Sequence, residues 1–168
     1  MEEIQVLGLK ELEEKLESLP KKLADRGVRK ALKAGSNVIY RIMESLCPRV
    51  EKFIPGAPPG WLADHLGTKI KMLAGYIGGY AYIGPKGKVD FPDAAVAKMG
   101  TGGYRIKTNK KGRAHAVGRV AVASVARFLE FGTSKMGKHP FMTQAAEAGK
   151  MQAIDSIAHS LRDTLEEK

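Results

Sequence analysis

Between Gly132 and Lys138 the chain reads GTSKMGK, with its two glycines and final lysine at the spacing of a phosphate-binding loop, G-x-x-x-x-G-K. In such a loop main-chain N–H groups cradle phosphate oxygens, the lysine neutralises them, and a hydroxyl directly after the lysine ligates magnesium. His139 and Pro140 follow here instead. Imidazole is a poor magnesium ligand, and proline removes an N–H where phosphate would be held. A nucleotide hydrolase also needs parallel strands joined by crossover helices, and no such alternation is visible. The motif therefore reads as a structural corner rather than a nucleotide site.

Other reactive side chains are scattered. Cys47 is the single cysteine, and the histidines His65, His115, His139 and His159 are dispersed through the chain, without the spacing of a thiol–imidazole pair or a zinc site. Cys47 ends an apolar helical face just before Pro48 and reads as a small buried hydrophobe. His65 reads as structural or exposed. Glu130 is the only acid between residues 94 and 146, so no pair of carboxylates is set up for acid–base work in that region. Neither catalysis nor a cofactor or metal is expected.

Charge is the stronger signal. The chain carries a net charge of +10. Residues 86–119 alone hold nine bases (Lys86, Lys88, Lys98, Arg105, Lys107, Lys110, Lys111, Arg113 and Arg119) against Asp90 and Asp93, whereas residues 1–20 hold six acids against two bases. Such a cluster suits a polyanion or an acidic protein surface, and equally a solvated basic loop.

The elements that carry these residues follow from periodicity. Leu9, Leu12, Leu16 and Leu19 mark a short amphipathic helix between Gly8 and Pro20. Val28, Leu32, Gly35, Ile39, Ile42 and Leu46 continue a helical stripe up to Pro48, a helix of about 25 residues. Its many lysines and arginines read first as a solvated face. Pro55, Pro58, Pro59, Gly56 and Gly60 make a turn-rich connection, after which Trp61 anchors a short WLADHLG turn in the core. Thr68–Met72 and Tyr76–Ile83 alternate as two strands of a hairpin. Residues 86–119, with six glycines, read as an inserted flexible arm, with one helical turn near Asp93–Met99. Val120–Phe131 reads as a strand. Pro140 suits a first helical position, and Phe141, Ala145, Ala148, Ile154, Ile157, Leu161 and Leu165 outline the last helix. The fold class is α+β: a small antiparallel sheet packed against a long N-terminal and a C-terminal helix, with the basic glycine-rich arm inserted between strands.

At 168 residues the chain is expected to form a single domain, and its 43% apolar and 27% charged residues suit a soluble globular protein. No apolar run is long enough to span a bilayer, and the MEEIQ start shows no secretory signal. One cysteine suits a reducing compartment.

Four segments together, GLKELEEKLESLPKKLADRGVRKALKAGSNVI, PGWL, AYIGP and FLEFGTSKMGKHPFM, resemble the head–tail joining, or tail-completion, family of neck proteins of siphophages and prophages. The resemblance spans the chain apart from the 86–119 arm. Its specific part is the EFGTSKM stretch followed by HPF, and it departs at Gly60-Trp61-Leu62, where the pattern commonly has Thr-Gly before the leucine. It implies a structural virion protein of the neck, made in the host cytoplasm. It further implies a homo-oligomeric ring of six or twelve copies joining the DNA-filled head to the tail tube. Partners would be head-completion or connector proteins and tail-terminator or tail-tube proteins, with no membrane involved.

A closed ring needs two different complementary patches per subunit. The corner is expected to supply one through Glu130, Phe131, Gly132, Thr133, Ser134, Lys135, Met136, His139, Pro140 and Phe141. Phe131 and Phe141 would hold the loop against the sheet, and Glu130 would pair with a basic side chain, within the subunit or on a neighbour. Lys86, Lys88, Arg105, Lys107, Lys110, Lys111, Arg113 and Arg119 are the candidates for non-specific contact with DNA in the lumen or with an adjacent ring. The competing reading is a basic nucleic-acid-binding module, against which stands the lack of a recognisable motif or aromatic–basic sheet signature.

Overall fold

The computed structural model describes residues 14, 20–48, 60–92, 104–108, 114–134 and 136–166, with backbone alone over 90–92, 104–108 and 114–120. In chain order the elements are α1 (Lys21–Leu46), α2 (Trp61–Asp64), β1 (Leu66–Met72), β2 (Gly79–Pro85), β3 (Lys88–Pro92), β4 (Tyr104–Thr108), β5 (Ala114–Ala121), α3 (Val122–Phe131) and α4 (Phe141–Glu166). The fold is α+β, with two long helices and small antiparallel sheets. The chain divides into two compact units, one of Met1–Ile39, Thr68–Ile83 and Ala148–Lys168, the other of Tyr40–Gly67 and Gly84–Glu147. Neither is continuous in sequence, because α1, α4 and the hairpin strands each contribute to both. Of the helix expected between Gly8 and Pro20, only Glu14 lies within the described residues, helical and exposed. The expected turn near Asp93–Met99 and most of the Pro48–Gly60 connection lie outside them.

In the first unit, α1 meets α4 along small residues. Ala24, Gly27, Ala31 and Gly35, at helical spacing, are buried on α1 together with Ser36. A Cβ on Gly27 would stand 2.8 Å from Thr164 Cγ2, and one on Gly35 would stand 2.6 Å from Ile157 Cγ1 and 2.9 Å from the Ala153 carbonyl oxygen. Absent side chains let the backbones approach closely. This corrects the expected stripe: Val28 and Leu32 are half-buried and Leu46 is exposed. On α4, the small residues Gly149, Ala153 and Ser160 are buried along the same seam, whereas Ala148, on another face of the helix, is exposed. Strands β1 and β2 form the expected hairpin, but Tyr76 stands in its loop rather than in the strand.

The second unit holds a core of Trp61, Leu62, Leu66, Val122, Val125, Ala126, Leu129, Phe141 and Ala145. Trp61 is the anchor expected, 2% exposed. His65 is structural: its Nδ1 lies 2.8 Å from the Trp61 carbonyl oxygen, and the two rings stack obliquely at 5.3 Å.

Two expectations fail here. Val122–Phe131 is a helix, not a strand. Val122, Val125, Ala126 and Leu129 recur at steps of three, one and three, which buries one helical face, whereas β-branched and aromatic composition pointed to a strand. Residues 86–119 are not a structureless arm either. They contribute a three-stranded antiparallel sheet of order β3-β5-β4. Gly118, at the middle of central β5, stands opposite Phe91 on one side and Tyr104 on the other. Counting glycines hid the alternation of Tyr104-Arg105-Ile106-Lys107, which is a strand pattern.

Candidate functional site

The corner between α3 and α4 is built by satisfying helix ends. A helix leaves its first N–H and last C=O groups without intrahelical partners. Pro140 proves to be the cap residue of α4 rather than its first residue: its carbonyl accepts the Gln144 N–H at 3.2 Å, and it carries no side-chain acceptor. Glu130 supplies what proline lacks. Its Oε2 accepts the Met142 N–H at 2.9 Å, and its Oε1 accepts the Thr143 N–H at 2.9 Å together with the Thr143 hydroxyl. The Phe141 N–H donates to the His139 carbonyl at 2.8 Å. All four leading N–H groups of α4 are therefore engaged.

Glu130 is 4% exposed, so its carboxylate needs compensation for leaving water. Charge-assisted hydrogen bonds and the positive end of a 26-residue helix supply it. Within the subunit, the described donors to Glu130 are the helix start and Thr143 rather than a basic side chain. It also places an internal anion on the N–H groups that a phosphate would need.

The loop is tied at both ends. Gly132 ends α3 at φ 75°, and its N–H donates to the Phe128 carbonyl at 2.9 Å. The His139 N–H returns to the Leu129 carbonyl at 2.6 Å, and Thr133 and Met136 exchange main-chain hydrogen bonds at 2.9 and 3.2 Å. Phe141 is buried, but Phe131 is 75% exposed and so does not hold the loop down, contrary to expectation. Thr133, Ser134, Lys138 and His139 are exposed; Met136 and Pro140 are half-buried; Lys135 lies outside the described residues. The corner thus presents a large apolar ring and polar groups on a rigid frame.

Of the basic candidates, Lys86 and Lys88 are exposed, and Lys110, Lys111 and Arg113 lie outside the described residues. Pairing places Asp90 opposite Arg119, Arg105 opposite Val117, and Lys107 opposite His115. Directly opposed residues share a face, as do residues two apart. Lys88, Arg105, Lys107, His115 and Arg119 therefore occupy one face of the sheet together with Asp90 and Val117. Val89, Phe91, Tyr104, Ile106, Ala116 and Val120 occupy the other. Only the pairing register reveals this segregation, and sequence reading missed it.

Burial pushes the Cys47 thiol up to about 11, with the Glu44 carboxylate adding to the effect. Among the described residues no group of three His, Cys, Asp or Glu side chains is placed to hold a metal ion, and no helix is long and apolar enough to cross a membrane. No protein-family model matches the chain, nor does any curated protein or solved structure.

Proposed function

We propose that the protein is a structural subunit of a phage neck, closing into a ring between the DNA-filled head and the tail tube. The observation that supports this reading is the corner itself. A buried acid clamps the start of α4, and next to it Phe131, 75% exposed, is held out on the last turn of α3. A rigid scaffold that exposes a phenylalanine suits a heterologous contact with the next subunit. Head-completion or connector proteins on one side and tail-terminator or tail-tube proteins on the other are the partners of this reading. Its place is the virion.

The competing reading, a basic nucleic-acid-binding module, gains from the cationic face of the β3-β5-β4 sheet. The triple variant R105Q/K107Q/R119Q separates the two through duplex-DNA affinity and head–tail joining measured side by side. The neck reading expects impaired joining, whether or not DNA affinity falls. Collapse of DNA affinity with joining intact favours the module. Portal, capsid and tail-tube genes beside the coding sequence would support the neck reading independently.

A further inference from the structure

The β1–β2 hairpin carries a surface that neither reading uses. At its loop end the Leu73 N–H donates to the Gly78 carbonyl at 3.0 Å, and at its base the Lys86 N–H donates to the His65 carbonyl at 2.8 Å. Both bonds fit one uninterrupted antiparallel register, with Lys71 opposite Tyr80 and Lys69 opposite Tyr82. A Cβ on Gly79 would stand 2.7 Å from the Lys71 carbonyl oxygen and 3.1 Å from Leu32 Cδ1, so the other face of the hairpin lies on α1. The lysines and tyrosines share the outward face: Lys69 and Lys71 are exposed, and Tyr80 and Tyr82 are 39% and 57% exposed. The two tyrosine rings meet edge to face at 5.0 Å and 89°, and Tyr76, 74% exposed, stands in the adjoining loop.

We infer that this face binds single-stranded nucleic acid, with unpaired bases stacking on Tyr80 and Tyr82 and phosphates meeting Lys69 and Lys71. Aromatic rings on a sheet with cations one strand away are the chemistry that holds unpaired bases and their backbone together. Charge selects the occupant. Lysine is depleted at the centres of protein–protein contacts, where it must be desolvated, but it suits a phosphate that stays partly hydrated. Paired bases offer no face to a tyrosine, so a duplex is not the preferred ligand. The sequence hid this signature because the aromatic and basic halves lie on different strands, and only the register joins them.

The test is fluorescence anisotropy of labelled oligothymidylate and oligouridylate, each about 20 nucleotides, against a duplex of equal length, with the full chain. Y80A/Y82A is expected to lose at least about 10-fold in affinity for the single strands, while Y80F/Y82F, which keeps the rings, binds as the unaltered protein does. K69Q/K71Q is expected to flatten the salt slope by about 1.4. The two oligonucleotides distinguish DNA from RNA as the source. The inference is overturned if the unaltered protein ignores both, if Y80A/Y82A weakens duplex and single strand equally, or if K69Q/K71Q leaves the slope unchanged. It is also overturned if the only change in Y80A/Y82A is in self-association, which would make the face a contact between copies. Retained far-ultraviolet circular dichroism of both Y80A/Y82A and K69Q/K71Q shows that each change is one of binding.

Discussion

Oε1 of Glu130 accepts both the main-chain N–H and the side-chain hydroxyl of Thr143, thirteen residues further along the chain. A side chain from the end of one helix thereby caps the start of the next, and the loop between them is held at a set angle. Local caps come from the residue before the helix; here that residue is Pro140, which has nothing to offer.

Replacing Glu130 tests this clamp. E130A leaves the part-buried Met142 and Thr143 N–H groups without their carboxylate acceptor and is expected to lower stability by about 1–3 kcal/mol in urea unfolding. E130Q keeps one acceptor oxygen and loses the charge facing the helix dipole, so a loss of about 1–2 kcal/mol is expected. T143V removes only the hydroxyl and should cost about 1 kcal/mol. Equal stability of E130A and the unaltered protein would contradict the clamp.

The small-residue seam makes a size-dependent prediction. G35A places a methyl 2.6 Å from Ile157 Cγ1 and 2.9 Å from the Ala153 carbonyl oxygen, which cannot retreat without moving the helix. A loss of about 1–3 kcal/mol is expected despite alanine's better helix propensity. G137A meets nothing within 4 Å and should be neutral or stabilise by up to about 1 kcal/mol. Thermal unfolding is expected to place G35A below the unaltered protein and G137A at or above it if the seam is packed as described.

Gly132 combines φ 75° with a close approach: a Cβ there would stand 3.0 Å from the Met136 carbonyl oxygen. G132A is expected to cost about 1–3 kcal/mol, and to loosen the Thr133–Met136 pairing. Faster amide exchange at Thr133 and Met136 than in the unaltered protein is the readout.

For Cys47, burial raises the thiol to about 11 from its ordinary value of 9.0. Between these values the unfolded chain has lost the proton that the folded chain keeps, so this group's contribution to stability falls as pH rises from about 9 to 11. At pH near 8 the folded protein holds less thiolate than the unfolded chain. Iodoacetamide should therefore alkylate Cys47 more slowly in the native protein than in urea.

Much of the fold was legible in the residues. The long helix ending before Pro48, the Trp61 turn, the β1–β2 hairpin and the last helix follow from period, proline and turn chemistry. Composition misled where it outweighed period: valines and phenylalanines made α3 look like a strand, although Val122, Val125 and Leu129 stand at helical steps. Glycines made β4 and β5 look like a loop, although their residues alternate. The corner residues could be named from the sequence, but not the Glu130–Thr143 contact, because a cap supplied across thirteen residues leaves no local spacing to read. Cross-strand neighbours such as Lys71 and Tyr80, or Asp90 and Arg119, share a face only once register is known.

The central claim is that the corner is a contact between copies, and the mass of the purified protein tests it most directly. Native mass spectrometry of the unaltered chain is expected to show a closed ring of six or twelve copies. F131E, which changes a side chain that is 75% exposed and so leaves the fold intact, should give a folded monomer. A strictly monomeric unaltered protein at high concentration, or an F131E ring as stable as the original, would contradict the account.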